Sequence, residues 1–192
     1  MVGWEDDFRM IATLNFTNEV KLYLYITNRM VPHFALDRQS LPQGSELDLP
    51  KGWWTVWRCE VLITDPDGEN NVMVFTNSAT LVSFICEALA DDFAGMLKNF
   101  EVRFVDFMRA KGVHPPAGLS MTVLPMLGEP EELSDDVWWP IDCLRKNLIE
   151  RKMDTLDAEL KVNMGPASEM GGDSPIDYFT EEYARNPLWM KV

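Results

Sequence analysis

The side chains with chemical capacity in this sequence are two histidines, three cysteines and an unusual number of carboxylates. His33 is followed four residues later by Asp37, a spacing that would set two metal ligands on one face of a helix, but the pair lacks a third member. His114 stands before Pro115 and Pro116 with no partner at ligand spacing and reads as a helix-end residue, while His33 reads as a surface-loop residue. Asp65-Pro66-Asp67-Gly68-Glu69-Asn70 is acidic enough to suggest calcium, yet it lacks the later bidentate glutamate and has the composition of a turn. Cys59, Cys86 and Cys143 are odd in number and widely spaced, which points to reduced thiols. Cys59 follows Trp57 and Arg58, where a neighbouring cation would lower a thiol pKa, whereas Cys86 lies in an apolar pattern and reads as a small buried hydrophobe. There is no GxSxG, phosphate-binding P-loop or GxGxxG, and no two carboxylates stand out as a hydrolytic pair. No catalytic residue, metal site or cofactor is therefore assigned, and an enzyme is the less expected class.

The carboxylates are informative in their arrangement. Thirty-one Asp and Glu oppose seventeen Lys and Arg, for a net charge of −14, which disfavours direct binding to nucleic acid or to an anionic membrane surface. Between Arg58 and Lys98 seven acids occur without a base, and between Lys111 and Arg145 six more. From these stretches Asp65, Asp67, Glu69, Asp91, Asp92, Glu129, Glu131, Glu132, Asp135 and Asp136 are candidate partner-binding residues, with Trp138 and Trp139 as aromatic anchors directly after the second run. An acidic rim beside an aromatic anchor suits docking on a basic protein surface. The expected function is a non-enzymatic acidic interaction protein, an inhibitor or nucleic-acid mimic of bacterial or phage origin, whose partner is a basic, nucleic-acid-binding protein. The alternative is a small-molecule-binding domain or small hydrolase using carboxylates and tryptophan in a cleft between sheet and helices. Acidity that serves only solubility is the plain reading of the same charges.

The elements that must position these residues form one α+β domain over residues 1–192: an antiparallel sheet with a central hairpin, covered by several helices. Forty-six per cent of the residues are hydrophobic and seven are tryptophan, enough for a substantial core. The acidic start, Met1 to Asp7, is unlike a signal peptide and no apolar run approaches the roughly 18 residues a membrane helix needs, so a cytoplasmic protein is expected. Arg9 to Asn15 suggests a first strand. Thr17 and Asn18 suggest caps for a helix with Val20, Tyr23, Leu24 and Thr27 on one side, with a strand as the alternative. Residues 29–52, which contain Pro32, Pro42, Gly44 and Pro50 and show little periodicity, read as a long connection. Trp53 to Thr64 and Asn71 to Thr76 are the two arms of the hairpin. Leu81, Phe84, Ile85, Ala88 and Leu89 fall at i, i+3, i+4, i+7 and i+8, which predicts a helix over Ser78–Leu89. A second helix, Asp91–Lys111, presents Phe93, Leu97, Phe100, Phe104, Phe107 and Met108 to the core and stops at Gly112 and the proline pair. Leu119 to Leu124 is a candidate strand, and residues 128–137 are an acidic loop. A helix opens at Pro140 and runs to about Lys152. Leu156, Ala158, Leu160 and Val162 alternate with polar residues as in a half-exposed strand, and Ser174-Pro175-Ile176-Asp177 is a well-formed helix start.

Phe75-Thr76-Asn77, Ala79-Thr80-Leu81 and Ser83-Phe84, together with the late run Leu156 to Val162 and Ser174-Pro175-Ile176-Asp177-Tyr178-Phe179, resemble the pattern of an uncharacterised bacterial family, DUF6933. The resemblance spans roughly residues 9–182 and departs from the family over Arg29 to Gly52 and Met164 to Gly172. It implies a strand, a helix pair and a late strand, and because that family has no assigned activity it implies no role for any residue.

Overall fold

The computed structural model describes residues 19–43, 55–64, 70–89, 92–110, 120–128, 138–166 and 172–185. In chain order the elements are β1 (Glu19–Ile26), α1 (Met30–His33), β2 (Val56–Thr64), β3 (Asn70–Asn77), β4 (Ser83–Leu89), α2 (Phe93–Ala110), β5 (Ser120–Leu127), α3 (Trp138–Arg145), α4 (Thr155–Met164) and α5 (Pro175–Arg185). The five strands form one sheet in the order β4-β3-β2-β1-β5. The hairpin β2–β3 is antiparallel, as is β3–β4, while β1 lies parallel to both β2 and β5. The α+β class and the central hairpin are as expected, and the sheet is mixed, antiparallel on the β4 side and parallel on the β5 side.

Both faces of this sheet are buried. On one face Leu22, Leu24 and Ile26 of β1, Trp57 and Cys59 of β2, Met73 and Phe75 of β3 and Phe84 and Cys86 of β4 pack against Met96, Phe100, Phe104 and Met108 of α2 and Phe179 of α5. On the other, Leu62, Val74 and Ile85 meet Ile141 and Leu144 of α3, Leu148 beyond it, and Ala158 and Val162 of α4. The register slips between Val61 and Ile63, a bulge that lets Leu62 and Ile63 both join this second cluster.

Three expectations are overturned. Residues 83–89 form strand β4, not a helix; because the strand is covered on both sides, its side chains are apolar on successive positions, and a run of that kind satisfies helical spacing by coincidence. Asn77 does have a capping role, but for a tight turn: its Oδ1 accepts from the Ala79 and Thr80 amides and the Thr80 hydroxyl, holding Leu81 at φ 60° so that β4 can return along β3. Residues 155–164 form helix α4, not a strand. Asp154 caps it by accepting from the Asp157 amide, and the residues it buries are Ala158, Glu159, Val162 and Asn163, so two polar side chains occupy the inward face while Leu156 and Leu160 are exposed. Residues 19–26 are strand β1, the alternative to a helix there, with Val20, Leu22, Leu24 and Ile26 alternating into the core.

The remaining expectations meet the structure more simply. Asp92 caps α2 by accepting from the Gly95 amide, and Phe100, Phe104 and Met108 are buried as the spacing requires. Ser174 caps α5 by accepting from the Asp177 amide. Helix α3 opens at Trp138, two residues before Pro140, and continues as a π turn over Lys146–Glu150. Within the long connection, α1 and a 3-10 turn at Arg38–Ser40 are ordered, and Gln43 bridges to Leu127. The expected strand Arg9 to Asn15, the stop at Gly112 and the acidic loop before Trp138 lie outside the described residues.

Candidate functional site

Tyr25, Arg58, Thr76 and Ser83 are register partners on β1, β2, β3 and β4, so they form a row across the sheet on the face covered by α3 and α4. All four are buried. At one end of the row the Thr76 and Ser83 hydroxyls are 2.9 Å apart and hydrogen-bonded. At the other, Tyr25 lies against Gly128, where an added Cβ would come within 2.5 Å of the ring. Arg58, between them, has no exposed surface, yet its Nε, Nη1 and Nη2 make no hydrogen bond among the described residues. The indole of Trp138, at the start of α3, covers the face of the guanidinium with 3.6 Å between the guanidinium carbon and the ring centroid.

Glu60 is the nearest acid. Its Oε2 is 3.7 Å from Arg58 Nη2, close enough for charge attraction and too far for a hydrogen bond, and that oxygen has no other partner among the described residues. The other oxygen, Oε1, accepts from the Val61 amide at 3.2 Å and more distantly from the Thr27 hydroxyl at 3.4 Å. Burial lowers the pKa of Arg58 and the Glu60 carboxylate partly offsets it. Since an unused buried donor or acceptor costs about 1–3 kcal/mol, this cluster is held at some expense to stability.

A second polar cluster closes the edge of the sheet. Asn163 of α4 accepts from the Ser83 amide at 2.8 Å and donates to the Ser83 carbonyl at 2.7 Å, as a neighbouring strand would. One helical turn earlier, Glu159 accepts from the Ile85 amide at 2.8 Å and receives Arg103 of α2 at 2.7 Å on both carboxylate oxygens. Asn99 of α2 donates to the Glu87 carbonyl. Apart from Arg103 Nε, which is buried without a hydrogen-bond partner among the described residues, these groups are paired, so the cluster protects the edge strand and holds the two helices to it.

The thiols offer no nucleophile. Cys59 points to the face opposite Arg58, and burial raises its pKa well above the usual thiol value, contrary to the lowered pKa its sequence neighbours suggest. Burial pushes Cys86 up to about 12. No group of three or more metal-ligating side chains occurs among the described residues.

Of the twelve candidate partner-binding residues, Asp65, Asp67, Glu69, Asp91, Glu129, Glu131, Glu132, Asp135 and Asp136 lie outside the described residues. Asp92 is exposed and its carboxylate caps α2. Trp138 and Trp139 are half-buried against the second apolar cluster, and Trp138 is engaged with Arg58. Arg58 and Glu60 were not among the candidates. On a strand where Trp57 and Cys59 face a core, alternation assigns Arg58 and Glu60 to solvent; the signal that they are covered is the apolar helix Trp138–Leu144, which needs a sheet face to pack on. Among the described residues, two hollows lie away from Arg58. One, of about 280 Å³, is lined by Tyr23, Leu41, Pro42, Leu124, Pro125 and Met126 and carries no acid, and the other, of about 360 Å³ along α3, has Asp142 and Glu150 but no aromatic wall.

Comparison with protein-family models, with curated proteins and with solved structures finds no match to this chain. The stretches that carry the resemblance to DUF6933 form a strand, a turn and a second strand, followed by helix α2, and later helix α4 where that pattern implies a strand. No helix among the described residues is long and apolar enough to cross a membrane.

Proposed function

We propose that this is an acidic interaction protein that docks on a basic protein surface and competes there with nucleic acid. The observation that carries the reading is how charge is distributed along the chain. The described residues hold sixteen acids and thirteen bases, close to balance, and several of those bases are matched locally, as in Lys98–Glu101, Arg109–Asp106 and Arg145–Asp142. The remaining segments hold fifteen acids and four bases. The excess negative charge is concentrated in the two base-free runs, nine of whose thirteen acids lie outside the described residues, and a concentration of one sign draws a basic partner and speeds encounter.

The test is charge reversal. Capture from the host cell at low salt supplies the partner, and Asp135→Lys with Asp136→Lys should then slow association about tenfold at low ionic strength and flatten its salt dependence. The partner should lose nucleic acid as this protein is added. Association that is indifferent to salt and to both substitutions, or a partner that holds nucleic acid and this protein together, contradicts the reading.

A further inference from the structure

Beyond docking, and independent of it, we propose that Arg58, Glu60 and Trp138 form a binding site for inorganic phosphate. Both members of the charged pair have unused hydrogen-bonding capacity. Arg58 holds three buried nitrogens with unused donors, and Glu60 holds one unused acceptor oxygen 3.7 Å away. The cation–π contact with Trp138 uses the face of the guanidinium. The donors of a guanidinium lie in its plane, so stacking leaves them free for an acceptor approaching edge-on, the geometry in which arginine grips an oxyanion with two parallel hydrogen bonds.

Glu60 decides which oxyanion. A carboxylate facing the same space repels any anion that offers only acceptors and favours one that also carries a hydroxyl to donate to it. Near neutrality inorganic phosphate keeps at least one hydroxyl, whereas sulfate has none and a phosphate monoester has largely lost its last proton, its second pKa being about 6. One oxygen of phosphate would accept from Arg58 while its hydroxyl donates to Glu60 Oε2, satisfying both sets of unused groups with a single ligand. Glu60 is already anchored for this task, because Oε1 takes the Val61 amide and the Thr27 hydroxyl. Arg58 has no exposed surface and Trp138, stacked on it, is half-buried, so an anion arriving at the edge of the guanidinium changes the surroundings of the indole, and tryptophan emission reports the event.

The experiment is calorimetric titration of the full chain with sodium phosphate, sodium sulfate and methyl phosphate at matched ionic strength, with tryptophan fluorescence alongside. A hydrogen bond to a charged group sets the expected preference: phosphate binds about tenfold to a hundredfold more tightly than sulfate or the monoester. Glu60→Gln, whose amide donates, collapses that preference by admitting sulfate. Arg58→Met loses all three ligands, and should that variant fail to fold, Arg58→Lys, which keeps the charge and loses the fork, weakens phosphate about tenfold or more. Trp138→Phe removes the emission change while phosphate still binds. No heat from phosphate, as expected if only water fills the gap, overturns the proposal. So do equal affinities for phosphate and sulfate in the natural chain, or phosphate binding unaltered in the Arg58 variants.

Discussion

Trp57 and Arg58 are neighbours on the central part of the sheet and point in opposite directions, and what each meets differs in kind. Trp57 is packed among Phe84, Phe100 and Phe104 with ring centroids 5.2–5.5 Å away, in a face of the molecule filled by aromatic and sulfur-containing side chains of four strands and α2. Arg58 meets one indole and a carboxylate too distant to hydrogen-bond. The first face derives its stability from area removed from water and from ring geometry. The second is apolar around its margin, at Leu62, Val74, Ile85, Ile141 and Leu144, and polar at its centre. A sheet covered on both sides has no structural need for an arginine there, since a methionine would fill the same space at lower cost. The contrast therefore separates the side of the sheet that makes the fold stable from the side that holds a site.

The strongest way to break the contrast is to weaken the first face. Phe100 lies 4.7 Å from Phe75, 5.2 Å from Trp57 and 6.2 Å from Phe104, centroid to centroid, and is fully buried. Phe100→Ala should lower stability by about 3–5 kcal/mol in urea unfolding. A loss below 1 kcal/mol would mean that the aromatic face is not the main source of stability.

A smaller effect is expected at the sheet edge. Asn163→Ala strips the Ser83 amide and carbonyl of their partner, and a loss of about 2 kcal/mol is expected, less than for Phe100 because water can reach a strand edge and replace part of what is lost. The opened edge should also raise self-association in size-exclusion chromatography. Unchanged stability together with an unchanged elution volume would show that Asn163 does not act as a substitute strand.

How much of this was legible follows from the same contrast. The hairpin β2–β3, helix α2 and the start of α5 could be read because each carries a local signal: aromatic and β-branched runs flank a turn sequence in the hairpin, the α2 phenylalanines recur at helical spacing, and Ser174 and Asp177 form a local pair. Strand β4 could not, because burial on both sides removes the period of two. Helix α4 was misread for a chemical reason. Its inward face carries Glu159 and Asn163, whose partners are backbone groups of a strand more than seventy residues earlier, while its leucines face solvent, so hydrophobic alternation pointed the wrong way. The site was hidden likewise: Arg58 and Glu60 look like the wet side of a half-exposed strand until α3 is laid over them.

The most direct measurement of the contrast replaces the polar centre itself. In the double variant Arg58→Met, Glu60→Leu, the unused donors and acceptor vanish together and apolar groups of similar size fill the space beneath Trp138, beside Val74 and Leu62. Urea unfolding should then show stability unchanged or raised, by up to about 4 kcal/mol, with an unaltered dependence on denaturant concentration. The same protein should give no heat with phosphate. A loss of stability approaching that of Phe100→Ala would contradict the account, since it would make Arg58 and Glu60 part of what holds the fold together.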